Sequence, residues 1–465
     1  MDKIKFSGDI LEQIKDFKRQ YLTEEQESSI DKPISNKEEV KPCYKKNDLC
    51  NKCNRPKRSF FGCNYCYFQQ NFKNWNSGNQ EVNELIHKVQ LKAENWKEVL
   101  EWIEYDRFEN IEYMATGGFG IVFKAIWKDG YMCNDSVRVG ETEVALKCLH
   151  YSQNITAQFL KEVELNISVK SLFSCVVRCF GITKDPETNN FMMVMELKKG
   201  SLRQHLNNHC ISLNWKQKLR NLQGIALGLK YIHDSGLIHR DLHVGNILSN
   251  FNDLAYITDL GLCQPANINT SHDNNKEIYG VLPYIAPEVL RGEEYTQASD
   301  IYGFGIIAYE ICTGLPPYHD ISHDEFLAMK ICQGLRPKCN YKIPQLIFDM
   351  INQCWDANPL KRPKANELSD SLNDLYRVTR NELNRTIYNQ IKEVNEINEN
   401  SSYLSSSSSF LSSGSLSFIT HPQAIYTSRL LDFKNLPEPK NADDDSLEFL
   451  RIDFTKPNHA DYKGY

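Results

Sequence analysis

The segment HRDLHVGNIL, residues 239–248, constrains this sequence most, because a carboxylate and an amide stand close together in it. Asp241 and Asn246 lie in a predicted loop, and a second carboxylate, Asp259, follows within ITDLGL at 257–262. Phosphoryl transfer requires a carboxylate beside the acceptor hydroxyl and oxygen ligands for the Mg²⁺ ions that bridge the phosphates. Asp241 suits the first role, whereas Asn246 and Asp259 suit the second.

A glycine-rich segment, ATGGFGIV at 115–122, lies between two predicted strands. Gly117, Gly118 and Gly120 carry no side chains, so backbone N–H groups there can approach phosphate oxygens closely. Glycine-rich hairpin turns without any ligand are also common. This segment alone therefore leaves both interpretations open.

Lys147 lies in EVALKCL, a predicted strand of mostly apolar residues. A lysine in such a strand is unfavourable unless an opposite charge accompanies it, and a phosphate or a carboxylate would supply that charge. We expect Glu162, in the helical segment AQFLKEVELN, to be the partner, with Glu164 as the second choice.

Composition divides the chain into segments. Between Ser401 and Ser417 eleven of seventeen residues are serine, and such a segment cannot bury enough surface to fold alone. Strand-like segments precede residue 213 and helix-like segments follow it, which predicts two lobes. The predicted divisions are a helical and polar segment (1–40), a basic cysteine module (41–75), a helical linker (76–107), the main domain (108–379) and a serine-rich, largely disordered tail (380–465).

Composition and charge also limit the function. Charged residues make up 25% and hydrophobic residues 41%, which suits a soluble folded core. The net charge of −6 argues against a chain devoted to nucleic acid. No stretch is as long and apolar as a signal peptide or a membrane span requires. We therefore expect a cytoplasmic or nuclear protein whose 15 cysteines are thiols or metal ligands.

The segment CNKCNRPKRSFFGCNYC, residues 50–66, contains two CxxC pairs, Cys50 with Cys53 and Cys63 with Cys66. Four thiolates form the tetrahedral set that Zn²⁺ prefers, and so short a segment has no core in which unrelated cysteines could be buried. A structural zinc site is the favoured interpretation, and an iron–sulfur cluster is the alternative.

The region around the cysteines is basic. Residues 41–75 contain eight Lys or Arg and a single acidic residue, Asp48. Together with nearby aromatic residues this charge could bind nucleic acid, or it could be a solvated face. We favour a third interpretation, docking of a protein partner, and regard nucleic acid as the weaker candidate.

Further motifs follow the acidic ones in a fixed order: APE at 286–288, SDIYGFG at 299–305, TGLPPY at 313–318 and NPLKRP at 358–363. With them, residues 108–379 resemble the eukaryotic protein kinases, and more closely the tyrosine-kinase-like group. The whole chain resembles an expanded kinase family of mycorrhizal fungi that carries a cysteine module upstream. The resemblance implies an α+β, bilobal kinase fold with a β-rich N-lobe and an α-rich C-lobe.

The resemblance also implies residue roles and the use of ATP and Mg²⁺. The implied ATP-binding residues are Ala115, Gly117, Gly118, Gly120, Val122, Ala145, Lys147, Met195, Glu196, Leu197 and Leu248. The implied catalytic residues are Asp241, Lys147, Glu162, Arg240, Asn246 and Asp259, the last two of which would hold Mg²⁺. Glu288 and Arg362 match the buried structural ion pair of the family.

Several positions depart from the family pattern. Ala115 replaces the first glycine of the loop, and Leu260 replaces the phenylalanine of the DFG motif. Asn166 stands where an apolar residue usually packs against that phenylalanine. His243 and Val281 replace the lysine and threonine typical of Ser/Thr kinases. We expect transfer to Ser or Thr of protein substrates, with dual specificity and a scaffolding pseudokinase as alternatives.

Arg240, next to Asp241, offers a partner for a phosphate on the segment that follows Asp259. The candidate regulatory phosphosites there are Thr270, Ser271 and Tyr279. Each of them alone could equally be an incidental hydroxyl in a polar loop.

Overall fold

The computed structural model of the chain describes residues 75–93, 96–117, 120–134, 137–149, 156–169, 175–209, 213–250, 254–266, 278–338, 341–381, 385–405 and 420–441. Its strands are β1 (Glu101–Trp102), β2 (Phe108–Gly117), β3 (Gly120–Trp127), β4 (Met132–Asn134), β5 (Val137–Arg138), β6 (Thr142–Leu149), β7 (Cys179–Lys184), β8 (Phe191–Glu196), β9 (Gly200–Ser201), β10 (Leu237–Ile238), β11 (Ile247–Ser249), β12 (Ala255–Ile257), β13 (Gln264–Pro265), β14 (Ile278–Gly280) and β15 (Arg429–Leu431). Its α-helices are α1 (Gln80–Lys92), α2 (Ala157–Ser168), α3 (Leu202–His209), α4 (Trp215–Asp234), α5 (Pro287–Leu290), α6 (Gln297–Thr313), α7 (Glu325–Cys332), α8 (Gln345–Cys354), α9 (Ala365–Asn381) and α10 (Arg385–Ser405).

The first lobe is built on a six-stranded sheet with the strand order β1-β7-β8-β6-β3-β2. Neighbouring strands are antiparallel except β1 and β7, which run parallel. Successive side chains of β6 point to opposite faces, as in any strand. Val144 and Leu146 are fully buried in one apolar cluster, whereas Ala145 packs against a second cluster that includes Met195. Lys147 shares the face of Ala145.

Helix α1 belongs to this lobe. Its buried apolar residues are the ones whose spacing predicts a helix, Val82, Leu85, Ile86 and Val89. They pack with Phe159 of α2 in one apolar cluster. Residues 76–107 therefore contain more than a helical linker, since β1 follows α1 and pairs with β7.

Helix α6 is the buried centre of the second lobe, the α-rich half of the predicted α+β architecture. Every residue from Ser299 to Thr313 is buried. Thr296 and Ser299 form a capping box at its start, and Gly314 ends it in a left-handed conformation with φ of 74°. The first turn of α6 thus has a fixed position, and it contains Asp300.

Helix α4 packs unusually close to the strand that leads to Asp259. A Cβ atom at Gly224 would lie 2.5 Å from the carbonyl oxygen of Ala255, and one at Gly228 would lie 2.6 Å from that of Cys175. A side chain at Gly224 would push α4 away from β12, and one at Gly228 would push it away from the backbone at Cys175. The two glycines therefore allow α4 to pack directly against the strand that precedes Asp259.

Composition predicts a largely disordered tail over residues 380–465, but two parts of this tail are folded. Residues 385–405 form helix α10, in which Ile387 and Val394 are buried. Residues 420–441 lie on the second lobe, where Leu431 is buried in its apolar cluster. A serine-rich segment cannot fold alone, but these apolar residues are buried on a surface that the second lobe provides. The serine-rich residues 406–419 and residues 442–465 lie outside the described residues.

No helix in the described ranges is both long enough and apolar enough to cross a membrane. The eight cysteines among those residues are all free thiols. The four cysteines of the predicted zinc site, Cys50, Cys53, Cys63 and Cys66, lie outside the described residues.

We predict that Arg362→Ala lowers the free energy of unfolding by about 3–5 kcal/mol, because it leaves a buried carboxylate without its partner. Arg362 donates to both carboxylate oxygens of Glu288, at 2.6 and 2.7 Å, and both side chains are nearly inaccessible to solvent. Urea unfolding would measure the change.

Lys392→Ala is the control for this prediction, since Lys392 forms an exposed ion pair with Glu396. Its loss should cost no more than about 1 kcal/mol. Equal effects of the two substitutions would contradict the importance of the buried pair.

Candidate active site

The loop that carries Asp241 is held by Asp300. One carboxylate oxygen of Asp300 accepts the backbone N–H of His239 at 2.8 Å, and the other accepts that of Arg240 at 2.9 Å. Arg240 has φ of 71°, a left-handed conformation that a residue with a side chain adopts only under constraint. Asp300 lies within the motif SDIYGFG, but the spacing of that motif predicts no role for this residue.

Asp241 is almost fully buried, with 3% of its surface exposed. The side-chain amide of Asn246 donates to the backbone carbonyl of Asp241 at 3.0 Å and to its Oδ2 at 3.2 Å. Burial alone would raise the pKa of Asp241, but hydrogen bonds and charge from His243, Ser428 and His239 outweigh it and lower that pKa. Asp241 is therefore a carboxylate that can accept a proton.

A cluster of charges, in which Lys147 and Glu162 are buried and Asp259 is half-buried, joins three parts of the fold. The Nζ atom of Lys147 lies 2.7 Å from Oε1 of Glu162 and 3.1 Å from Oδ1 of Asp259. Burial opposes the ammonium, but the two carboxylates prevail and raise the pKa of Lys147. Lys147 therefore stays positively charged. Glu164, the second choice as partner, instead pairs with Lys88 at 2.6 Å.

Asp259 reaches this cluster through an unusual backbone conformation, with φ of 64°. The next residue, Leu260, is fully buried in the apolar core of the second lobe. Leucine thus fills an apolar site here, as expected for the position that phenylalanine usually occupies. The left-handed conformation of Asp259 and the burial of Leu260 together direct the Asp259 carboxylate toward Lys147.

Asn166 follows Glu162 by one helical turn and is buried. Its amide nitrogen donates to the Glu162 carbonyl at 2.8 Å, while its amide oxygen lacks a hydrogen-bond partner. The polar residue therefore bonds within its own helix, and the Lys147–Glu162 pair forms in its presence. The unsatisfied oxygen nevertheless carries an energetic cost.

The glycine-rich segment forms the β2–β3 hairpin. Ala115 is exposed, lies opposite Val122 and does not adopt a positive φ, so a methyl group is tolerated there. Gly117 pairs with Gly120, where a Cβ would lie 2.1 Å from the Cys148 carbonyl oxygen. The close approach of β6 therefore explains Gly120. Gly118 lies outside the described residues.

Several of the implied ATP-binding residues lie on adjoining strands of the first-lobe sheet. Ala145 of β6 lies opposite Met195 of β8, and Val122 lies opposite Lys147. The half-buried apolar positions in this set are Val122, Ala145, Leu197 and Leu248. Glu196, at the end of β8, accepts a hydrogen bond from Lys198 at 2.7 Å. Apolar walls beside Lys147 suit a planar base joined to phosphates.

Of the three candidate phosphosites, one lies among the described residues. Thr270 and Ser271 lie outside the described residues. Tyr279 lies in β14, and its hydroxyl donates to the carbonyl of Ser428 at 3.3 Å. The guanidinium of Arg240 lies 4.5 Å from the centre of the Tyr295 ring and contacts that ring by a cation–π interaction.

The tail contributes a residue that sequence analysis did not identify. The Oγ atom of Ser428 lies 2.8 Å from Oδ1 and 2.6 Å from Oδ2 of Asp241. Nothing in the sequence relates the two residues, because Ser428 lies beyond the serine-rich run and outside every recognised motif. Only the fold brings them together.

A protein-family model described as protein tyrosine and serine/threonine kinase matches residues 108–372. The chain belongs to this family. The kinase domain is 31% identical over 277 residues to a probable serine/threonine-protein kinase of Dictyostelium discoideum, which covers 58% of this chain and 16% of that protein.

Other relatives carry different names. The domain is 28% identical over 308 residues to a dual specificity protein kinase of Dictyostelium discoideum, covering 59% of this chain and 46% of that protein. It is 26% identical over 299 residues to the human tyrosine-protein kinase FRK, covering 62% of this chain and 56% of that protein. The kinase therefore spans less than two thirds of the length of these relatives.

We predict that Asn166→Leu raises the free energy of unfolding of this kinase by about 1 kcal/mol, because it removes a buried and unsatisfied amide oxygen. Urea unfolding would measure the change. Gln158→Leu on the exposed face of the same helix is the control and should give no gain. A loss of stability in Asn166→Leu would show that the polar residue is required.

Proposed function

We propose that the chain is an active kinase that transfers the γ-phosphoryl group of ATP to Ser or Thr hydroxyls of proteins. The observation that carries this proposal is the formed cluster of Lys147, Glu162 and Asp259. Phosphoryl transfer by kinases requires both the lysine–glutamate pair and the metal-binding aspartate to be in position. A domain that bound only protein partners, without a nucleotide, would not need to hold these three charges together.

The polar residues of the site would then have distinct roles in phosphoryl transfer. Lys147, held by Glu162, would bind the α- and β-phosphates of ATP. Asp241 would orient the acceptor hydroxyl and take up its proton. Asp300 would hold the loop on which Asp241 and Arg240 lie, so we regard it as a positioning residue.

The donor set near Asp241 fits Mg²⁺. The amide nitrogen of Asn246 is committed to Asp241, which leaves its amide oxygen for a cation. Asp259 places its carboxylate beside Lys147, with Oδ1 3.1 Å from the Nζ atom. Mg²⁺ commonly binds one or two protein oxygens together with substrate phosphates, so a larger cluster of acidic residues is unnecessary. When bound, Mg²⁺ would neutralise the charge that develops on the phosphates.

Ser/Thr specificity, within the tyrosine-kinase-like group, is our choice among the possible acceptors. The probable serine/threonine-protein kinase of Dictyostelium discoideum and the resemblance to the fungal family support it. His243 and Val281 depart from the usual Ser/Thr pattern, and relatives named as dual specificity and tyrosine kinases also exist. Transfer to tyrosine is therefore the outcome against which this choice is tested.

We predict that Asp241→Asn lowers phosphoryl transfer about 10²–10⁴-fold, the usual contribution of a positioned proton acceptor. The purified chain would be incubated with labelled ATP, Mg²⁺ and a generic protein acceptor, and label on any protein hydroxyl would be counted. Phosphoamino-acid analysis would then distinguish Ser and Thr from Tyr.

Asp234→Asn is the matched control, because Asp234 is an exposed acid at the end of α4. It should retain wild-type transfer. Absence of label from wild type, despite measurable binding of ATP, would instead favour the scaffolding pseudokinase.

We also propose that residues 41–75 bind zinc and dock an acidic protein partner. The support is the spacing of the two CxxC pairs and the excess of eight basic residues over one acidic residue. Docking through this module would bring protein substrates or regulators to the adjacent kinase domain.

We predict that metal analysis of the purified full chain finds about one zinc ion per chain, as expected for a site with four thiolates. Replacing Cys63 and Cys66 by serine should remove it, because only two ligands remain. Cys43→Ser is the control, since Cys43 lies outside the two CxxC pairs. Iron in place of zinc, or zinc retained by the double variant, would refute the proposed site.

A further inference from the structure

The segment 420–441, here called the docked segment, follows the surface of the second lobe closely. Its backbone hydrogen bonds to the lobe include His421 N–H to the His319 carbonyl at 2.7 Å, His323 N–H to the Gln423 carbonyl at 3.1 Å and Lys440 N–H to the Cys332 carbonyl at 2.8 Å. These bonds occur at both ends of the segment. The backbone between them therefore has a defined path.

Side chains anchor the same path. The Tyr426 ring packs edge-on against His323, its centroid 4.9 Å away, and the Arg203 guanidinium lies 4.8 Å from that ring. The Tyr426 hydroxyl donates to the carbonyl of Pro317 at 3.0 Å. Arg291 forms an ion pair with Glu438 farther along. The segment is thus recognised by several kinds of contact.

In its middle the docked segment adds a strand to the region that follows Asp259. Strand β15 pairs antiparallel with β14, and Arg429 lies opposite Gly280. Addition of an extended strand to a sheet edge is a common way for domains to hold peptides. A Cβ at Gly280 would lie 3.4 Å from Oδ1 of Asp241, so β14 runs directly beside the carboxylate.

Ser428 immediately precedes β15, and its side chain reaches Asp241. Its hydroxyl donates to the Asp241 carboxylate, at 2.6 Å from the nearer oxygen. The Nε2 atom of His243 lies 3.2 Å from the same Oγ. Because Nδ1 of His243 accepts the Gly245 N–H at 3.1 Å, Nε2 is the nitrogen that can donate to Ser428. The Ser428 hydroxyl therefore contacts both Asp241 and His243.

We propose that Ser428 is a phosphorylation site of this chain and that the kinase domain modifies it within the same molecule. The inference rests on the proposed function and names its first substrate. A bond forms between Ser428 Oγ and the γ-phosphorus of ATP while the bond from that phosphorus to the β,γ-bridging oxygen breaks. The electron pair of the broken bond leaves with ADP. The Oγ proton passes to Asp241 and then to solvent.

The reaction would also release the docked segment. A phosphate on Ser428 carries nearly two negative charges and would stand against the buried carboxylate of Asp241. Charge repulsion opposes this arrangement. The modified segment would therefore leave Asp241, and the surface against β14 would become available to other proteins.

The test uses the full-length chain, treated with a phosphatase and then given labelled ATP and Mg²⁺. Mass spectrometry would locate the label in wild type and in Ser428→Ala. Thr427→Ala is the matched control, because the neighbouring hydroxyl is exposed and makes no contact with Asp241. We expect label at Ser428 in wild type and Thr427→Ala, and its loss from the docked segment in Ser428→Ala.

Dilution distinguishes reaction within a chain from reaction between chains. We expect the fraction of Ser428 labelled per unit time to stay constant as the chain is diluted. A fraction that falls in proportion to concentration would overturn the inference, since one chain would then modify another.

The outcomes also separate this inference from the proposed function. Label on a generic acceptor or elsewhere on the chain, with none at Ser428, would overturn the inference while the kinase activity stands. Absence of label on any protein would refute both.

A measurement without nucleotide tests the docking itself. Hydrogen exchange of the unphosphorylated chain should show protected amides in residues 429–431, which pair with β14. Ser428→Glu places a negative charge beside Asp241 and should lose that protection, whereas Thr427→Ala should keep it. Unprotected amides in the wild-type chain, or equal protection in Ser428→Glu, would overturn the proposed release.

Discussion

The buried ammonium of Lys147 is the interaction on which the arrangement of this kinase depends. A positive charge with so little access to water is unstable without anions close by. Glu162 comes from helix α2 and Asp259 from the loop after β12, and each is within 3.1 Å of the ammonium. Because each charge needs the others, the sheet, the helix and the second lobe must reach their positions together.

Much of this cluster could be predicted from the sequence, because a lysine in an apolar strand requires a counter-charge and the nearest helix offers one. The motifs around Asp241 and Asp259 likewise act over a few residues, so local spacing identifies them. Asp300 was harder to assign. Its role depends on the distance between the first turn of α6 and two backbone N–H groups, and the sequence contains no such distance.

The tail shows where composition is insufficient. A serine-rich segment has too little apolar surface to fold alone, which is why disorder was predicted. Leu431 and Tyr426 are few and widely spaced, so their pattern predicts neither a helix nor a long strand. Leu431 is buried and Tyr426 partly buried by residues from α3, the α6–α7 connection and β14, which are distant in the sequence. Contacts of this kind are specified by tertiary structure rather than by local pattern.

The attachment of β15 to the same chain has a consequence for competition. A tethered segment encounters its binding surface at an effective concentration that is often in the millimolar range for short flexible connections. A free protein that offers an extended strand to β14 must reach a comparable concentration before it can displace β15. Ordinary cellular concentrations are far lower, so a substrate would need a second attachment point on this chain. Recruitment at a second site, rather than intrinsic affinity for β14, would then decide which proteins are phosphorylated.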